Sequence, residues 1–315
     1  MTVKIAIIGL NPLGRALALA LKQSRPDLDL RGHDRNRSVM DDLDEKKIPF
    51  KAEWNLLAAV DGAQIVFLNE PLHVIQETMT ILGREMKNEA VIADTAPYKQ
   101  VTAEWAQSVL PEHLFYIGAT PLVAVGHPRA DLFQGQRFAV VPLPETPENA
   151  LRLLTEAITL MGATPLYLEI TEHDALLAAI HQLPILSGAA LMRVAAGSQA
   201  WRELANMAHA PFFAATAFPV DDAESLTALL RFGREPLLRW LDGLQDELSH
   251  LRELLVAERA TPLQEALEDA VTTGKKWREK VADADLEEAA LADAREEIIE
   301  RTGFRRLFGV GGRRK

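Results

Sequence analysis

Short apolar runs punctuate the first half of the chain. Val3–Ile8, Leu28–Gly32, Ile65–Leu68, Ala90–Ala93, Phe115–Ile117 and Phe138–Val141 are each bounded by polar or turn residues and read as buried strands. Between them apolar residues recur at helical spacing, over Leu13–Lys22 after Pro12 and again from Pro71. A proline suits the first helical position, where its missing N–H costs no bond. Strands alternating with helices predict a mostly parallel sheet covered on both faces, an α/β architecture.

The pattern changes after Leu143. "PETPENALRLLTEAITLMG" reads as a helix opened by Pro147 and closed by Gly162, and "TPLYLEI" as one more strand. From Thr171 onward the chain reads as helical. "TEHD" resembles a capping box in which Thr171 bonds the backbone N–H near Asp174. Leu237, Leu241, Leu244, Leu248, Leu251 and Leu255 form a stripe that suits either an internal core helix or a dimer seam. The expected division is 1–170 for the sheet domain, 171–260 for a helical domain, and 261–315 for a helical extension. That extension ends in "GFRRLFGVGGRRK", a basic and mobile-looking tail.

Composition narrows the function classes. The 315 residues are 48% hydrophobic and 25% charged, with a net charge of −11. That acidity opposes phosphate backbones, so no nucleic-acid partner is expected. No cysteine is present, which excludes disulfides and thiolate metal sites and fits a cytoplasmic location. The most apolar stretch, Ala175–Gly197, is interrupted by His181, Gln182, Pro184 and Arg193, and reads as a core helix, not a membrane span. No cluster has the spacing of a metal site.

The candidate chemistry starts at "GLNPLG". Gly9 allows a tight turn after the first strand, and Gly14 lets the next helix pack closely on it. A pyrophosphate would approach the backbone around Leu10, Asn11, Pro12 and Leu13 at the helix N-terminus. Asn11 stands where such turns usually have glycine. Its amide could donate to a phosphate oxygen, or the turn could have kept its shape and lost its ligand. Asp34 follows the second strand, placed to accept from a ribose 2′-hydroxyl, which favours NAD. Arg35 and Arg37 could instead pair a 2′-phosphate, so NADP stays open. Asp34 could equally cap the next helix.

"VIADTAPYKQ", "IGATPLVAVGHPRADLFQG", "RFAVVP" and "TEHDALLAAIHQLP" then follow in order. Together they resemble the prephenate and arogenate dehydrogenase family over roughly Val3–Val256. The resemblance implies a Rossmann-type domain followed by a helical dimerisation domain, with the site between them. It implies an NAD(P)-dependent oxidoreductase of tyrosine biosynthesis, acting on a small prephenate-like molecule as a homodimer. It places Thr95 with the cofactor-binding residues.

The departures fall on the reactive positions. In the family's D-x-x-S-x-K stretch, Asp94 and Lys99 match but Pro97 replaces the serine. In its glycine-x-His-Pro motif, Gly118 and Pro121 remain, but Thr120 replaces the histidine that accepts the proton from the ring hydroxyl. His127–Pro128 is a nearby His–Pro pair outside that register. After the His173–Asp174 pair, Ser-His-Leu-Pro-His becomes His181, Gln182, Leu183, Pro184 and Ile185. The family's Thr-Arg aligns best with Thr216–Ala217, which removes a carboxylate grip. A threonine hydroxyl is no base near neutral pH.

His181 therefore stands as the remaining candidate for proton transfer beside Thr120. Arg193 is the candidate anion-binding replacement, with pairing to a glutamate the plainer role. His173 and Asp174 read as structural, and Lys99 as either ligand-facing or solvated. Two readings remain: an oxidoreductase of this family, or an altered homologue that binds dinucleotide as a sensor or scaffold or acts on another substrate. Oxidation of prephenate by the family's usual mechanism is not expected.

Overall fold

The structure, a computed structural model, describes residues 3–45, 49–123, 126–216 and 223–279. Its sheet contains β1 (Lys4–Ile8), β2 (Asp29–His33), β3 (Lys51–Ala52), β4 (Ile65–Leu68), β5 (Ala90–Asp94), β6 (Leu114–Leu122), β7 (Arg137–Pro142) and β8 (Thr164–Tyr167). The strand order is β3-β2-β1-β4-β5-β6-β7-β8. Among the described residues only the β6–β7 pairing is antiparallel. The direction of winding reverses between β1 and β4, and ligands of open α/β sheets bind beyond strand ends at such a point.

Side chains along each central strand alternate between two cores. Ile5 and Ile7 join the core that contains Leu17, Leu21 and Phe133, whereas Ala6 and Ile8 join the one that contains Met79, Leu82 and Tyr98. Ile65 and Phe67 divide from Val66 and Leu68 in the same way. A sheet buried on both faces needs such continuous apolar runs, which is why the strands were visible in the sequence.

Helix boundaries follow local chemistry. The helix Pro12–Ser24 starts on its proline with Asn11 as cap. Leu72–Glu85 follows Pro71, and Glu148–Leu160 follows Pro147. One expectation needs correction. Thr171 is not a cap: the helix Ile170–Leu177 starts earlier, with Glu169 at the cap position and no side-chain cap bond. The strand expected over "TPLYLEI" ends at Tyr167, so the helix takes up Ile170 and encloses Thr171.

That helix passes through a π-helical turn, Ala178–Gln182, into Leu183–Ala196. Pro184 has no N–H to donate to the preceding turn, and Leu183 donates instead to Ala178 five residues back. The expectation of a core helix here also needs correction. Among the described residues one side is covered, through Leu177, Ala178, Ile185 and Gly188, while Ile180, Leu191 and Val194 are exposed. By length and composition alone, Ile170–Ala196 is the one stretch among the described residues long and apolar enough to cross a membrane.

Contacts divide the chain into two units, one spanning Val3–Asp242 and the other beginning at Gly243. In the first, Leu237 is buried and Leu241 half-buried. In the second, Leu244 and Leu251 are half-buried, Leu248 and Leu255 are exposed, and a helix covers 260–279. The basic tail lies outside the described residues.

Candidate functional site

The C-terminal ends of β1, β2, β4, β5 and β6 carry the residues that could do chemistry. After β1, Gly9 adopts φ +94°, a conformation that disfavours side chains. A Cβ there would lie 2.2 Å from the Asn69 carbonyl oxygen, and one at Gly14 would lie 2.0 Å from the Gly9 carbonyl oxygen. Both glycines thus serve close packing of strand, turn and helix. Asn69, one residue beyond β4, completes the turn: its Nδ2 donates to the Gly9 carbonyl (3.1 Å) and to Asn11 Oδ1 (2.7 Å). Thr95, after β5, donates from its hydroxyl to Asn69 Oδ1 and so braces the turn from below. Sequence reading missed Asn69, although a polar residue ending the run "IVFL" at the ligand edge was its signal.

The turn's donors are largely engaged. Asn11 Oδ1 accepts from Leu13 N (3.0 Å) and Gly14 N (3.1 Å). Leu10 N donates to Asp34 Oδ2 (2.7 Å), and Asp34 Oδ1 accepts from Asn36 N (2.8 Å). Asp34 therefore ties the β1 and β2 turns together, beyond either role expected of it. Arg35 is held by Glu70, Glu77 and Thr78. Beside them a depression of about 450 Å³ is lined by His33, Asp34, Arg35, Arg37, Asp41 and Trp54. Its position past β2 and its exposed indole suit the adenosine end of a dinucleotide. The pyrophosphate end fits only if the Asn11 side chain moves aside.

Farther along the edge lies a fully buried charge pair. Lys99 Nζ reaches Asp94 Oδ2 (3.1 Å) and the Asp94 and Ala96 carbonyls, with both side chains sealed from solvent. Burial lowers the Lys99 pKa, against the opposing pull of Asp94. The Tyr116 hydroxyl donates to Asp94 and pairs with Thr102; burial, then the Asp94 charge, pushes its pKa well up. A Cβ on Gly118 would lie 2.6 Å from the Lys99 stem, so this glycine makes room for the lysine. Lys99 is thus neither ligand-facing nor solvated.

Thr120, near the end of β6, has a neighbour the sequence did not reveal. Its Oγ1 lies 3.0 Å from His173 Nε2, and His173 Nδ1 lies 2.8 Å from Asp174 Oδ1. Asp174 also accepts from Lys99 N and Gln100 N. An acceptor so supplied is a carboxylate, which places the His173 proton on Nδ1 and leaves Nε2 as the acceptor facing Thr120. Burial lowers the His173 pKa, partly opposed by the Asp174 hydrogen bond. Thr120 Oγ1 also donates to the Ala96 carbonyl (3.1 Å), so its single hydrogen is shared between that oxygen and Nε2. The result is a hydroxyl–imidazole–carboxylate chain, with the hydroxyl toward the strand end. His173 was readable as half of an adjacent His–Asp pair, but only tertiary structure sets it behind Thr120.

Among the described residues, neither His181 nor Arg193 is hydrogen-bonded or ion-paired to this hydroxyl–imidazole–carboxylate chain. His181 is exposed in the π-helical turn, and among the described residues no hydrogen bond or ion pair reaches its ring. Its neighbour Gln182 is fully buried with both amide atoms unpaired. Arg193 is exposed. Ala217 lies outside the described residues, and no group of metal-binding side chains is found among the described ones.

Comparison with known proteins finds relatives of the chain and of its fold. Residues 17–167 match the family model for the prephenate dehydrogenase nucleotide-binding domain. Cyclohexadienyl dehydrogenase of Zymomonas mobilis is 24% identical over 286 residues, 89% of each chain. The crystal structure of Synechocystis arogenate dehydrogenase aligns with a TM-score of 0.72 at 23% identity, covering 87% of this chain and all of that one. Prephenate dehydrogenase of Aquifex aeolicus, in complex with hydroxyphenyl propionate and NAD+, aligns with a TM-score of 0.79 at 19% identity, covering 88% and 98%.

Proposed function

We propose, for a chain that belongs to the prephenate dehydrogenase family through its nucleotide-binding domain, that it is an NAD(P)-dependent oxidoreductase of a hydroxyl on a small prephenate-like acid. The observation that carries this reading is the Thr120–His173–Asp174 chain at the ligand edge of the sheet. A bound nicotinamide would supply hydride acceptance. The protein's task is to remove the hydroxyl proton. With its hydrogen turned from the Ala96 carbonyl to His173 Nε2, Thr120 Oγ1 takes that proton as its own passes to the imidazole, and Asp174 stabilises the resulting imidazolium. Each proton moves one place and no charge is left on the threonine. The buried imidazole thereby replaces the base missing from position 120, through one intervening hydroxyl.

Gly9, Leu10, Asn11, Pro12, Leu13, Gly14 and Thr95 would form or brace the pyrophosphate side, and Asp34 with Arg35 the adenosine side. NAD is favoured over NADP, because the Arg35 charge is already met by Glu70 and Glu77. The same reading includes a helical domain from 171 to 260, a homodimer and a cytoplasmic location. An altered homologue that only binds dinucleotide is the competing reading, favoured by the loss of the usual base.

The test is NAD(P)H formation with prephenate and with arogenate. Turnover is expected, and His173→Gln should lower kcat on the order of 10²-fold or more with little change in KM, because a general base contributes about 10²–10⁴-fold. His181→Gln should leave kcat unchanged. A wild type that binds cofactor but oxidises neither compound would establish the binding-only reading instead.

A further inference from the structure

We infer that Asn11 is an internal latch on the nucleotide site: its side chain occupies the backbone donors a pyrophosphate would use, and so sets the affinity for dinucleotide. The inference rests on the nucleotide-binding reading and concerns the one turn residue that departs from glycine.

A phosphate at a helix N-terminus is held by unpaired backbone N–H groups. In this turn Gly9 N donates to the His33 carbonyl, Leu10 N to Asp34, and Leu13 N and Gly14 N to Asn11 Oδ1. Pro12 has no N–H. Among the described residues, the Asn11 N–H is the donor of the turn left without a partner. The Asn11 carboxamide oxygen therefore sits as a neutral stand-in for a phosphate oxygen.

The stand-in is itself anchored. Asn69 Nδ2 donates to Asn11 Oδ1 at 2.7 Å, and Asn11 Nδ2 reaches the Asn69 carbonyl at 3.3 Å. Asn69 is buried and braced in turn by Thr95. Arg15 lies along the same turn, donating to the Leu10 carbonyl and pairing with Asp42. For a pyrophosphate to reach Leu13 N and Gly14 N, the amide–amide pair must open and the side chain must swing outward. Binding is weakened by whatever that opening costs. The amide that could have donated to a phosphate is also turned inward, toward Asn69.

Isothermal titration of purified full-length protein with NAD+, NADH, NADP+ and NADPH tests the latch. Asn11→Gly frees both N–H groups and should tighten binding of the preferred dinucleotide on the order of tenfold or more. Asn11→Asp keeps the capping oxygen and adds a negative charge, and should bind more weakly than wild type. Circular dichroism and the melting temperature of each variant establish that it is folded. Equal, measurable affinity in wild type and Asn11→Gly would overturn the latch while leaving nucleotide binding intact. Absence of binding by wild type and folded Asn11→Gly alike would overturn the latch together with the nucleotide-binding reading beneath it.

Discussion

His173 has no solvent-accessible surface, and that burial makes it responsive to pH. Desolvation lowers its pKa below the ordinary 6.5, so the folded chain holds the ring neutral where the unfolded chain begins to protonate it. Between the two pKa values the unfolded state binds more protons, and stability therefore rises with pH. This contribution is complete above about pH 6.5 and is lost as pH falls toward the lowered value. The melting temperature of wild type should consequently drop more steeply from pH 7.5 to 5.5 than that of His173→Gln; parallel profiles would contradict it. Lys99 shows why such groups were hard to read in the sequence. Its position after a strand was legible, but a lysine there looks solvated unless Asp94, Tyr116 and the space left by Gly118 are known to surround it. Asn11 was legible as a departure. Its bonding to Asn69, 58 residues away, was not.

At the level of elements, the helix Lys99–Val109 begins at Tyr98 without a side-chain cap of its own. Its cap arrives from another helix: both oxygens of Asp174, on Ile170–Leu177, accept from Lys99 N and Gln100 N at 2.8 and 3.0 Å. The carboxylate meets the positive end of the helix dipole in a buried setting, where an unmet N–H is costly. Sequence patterns show caps between near neighbours, which is why Thr171 was read as closing a box with Asp174 and the real pairing across 75 residues was missed. The strands were legible for the opposite reason, because their burial on both faces is written in contiguous apolar residues. Asp174→Ala should lower stability by about 1–3 kcal/mol, since it strands the buried Lys99 N–H and the part-buried Gln100 N–H and removes the His173 partner. Asp174→Asn should lose less, retaining one acceptor. Urea unfolding would measure both, and an Asp174→Ala loss under about 0.5 kcal/mol would mean that water caps the helix equally well.

At the scale of the whole molecule, the helices between 170 and 216 carry much apolar surface that the described residues leave uncovered. Ile180 is 66% exposed, Val194 75%, Met207 77% and Phe213 64%. Soluble monomers rarely leave so many large apolar side chains on neighbouring helices in water. A second copy of the same chain is the simplest cover, because a symmetric pairing buries the same patch twice. Arg193, His181 and Gln182 interrupt the stretch, and a lipid-spanning helix would have to carry them through hydrocarbon. Light scattering at micromolar concentration should therefore return twice the 34.8 kDa chain mass. Ile180→Asp with Val194→Asp should return the single-chain mass while keeping the helical circular dichroism, since each places a charge where apolar contact is required. A wild type already monomeric at that concentration, or one found only with detergent or vesicles, would rule out self-association as the cover for this face.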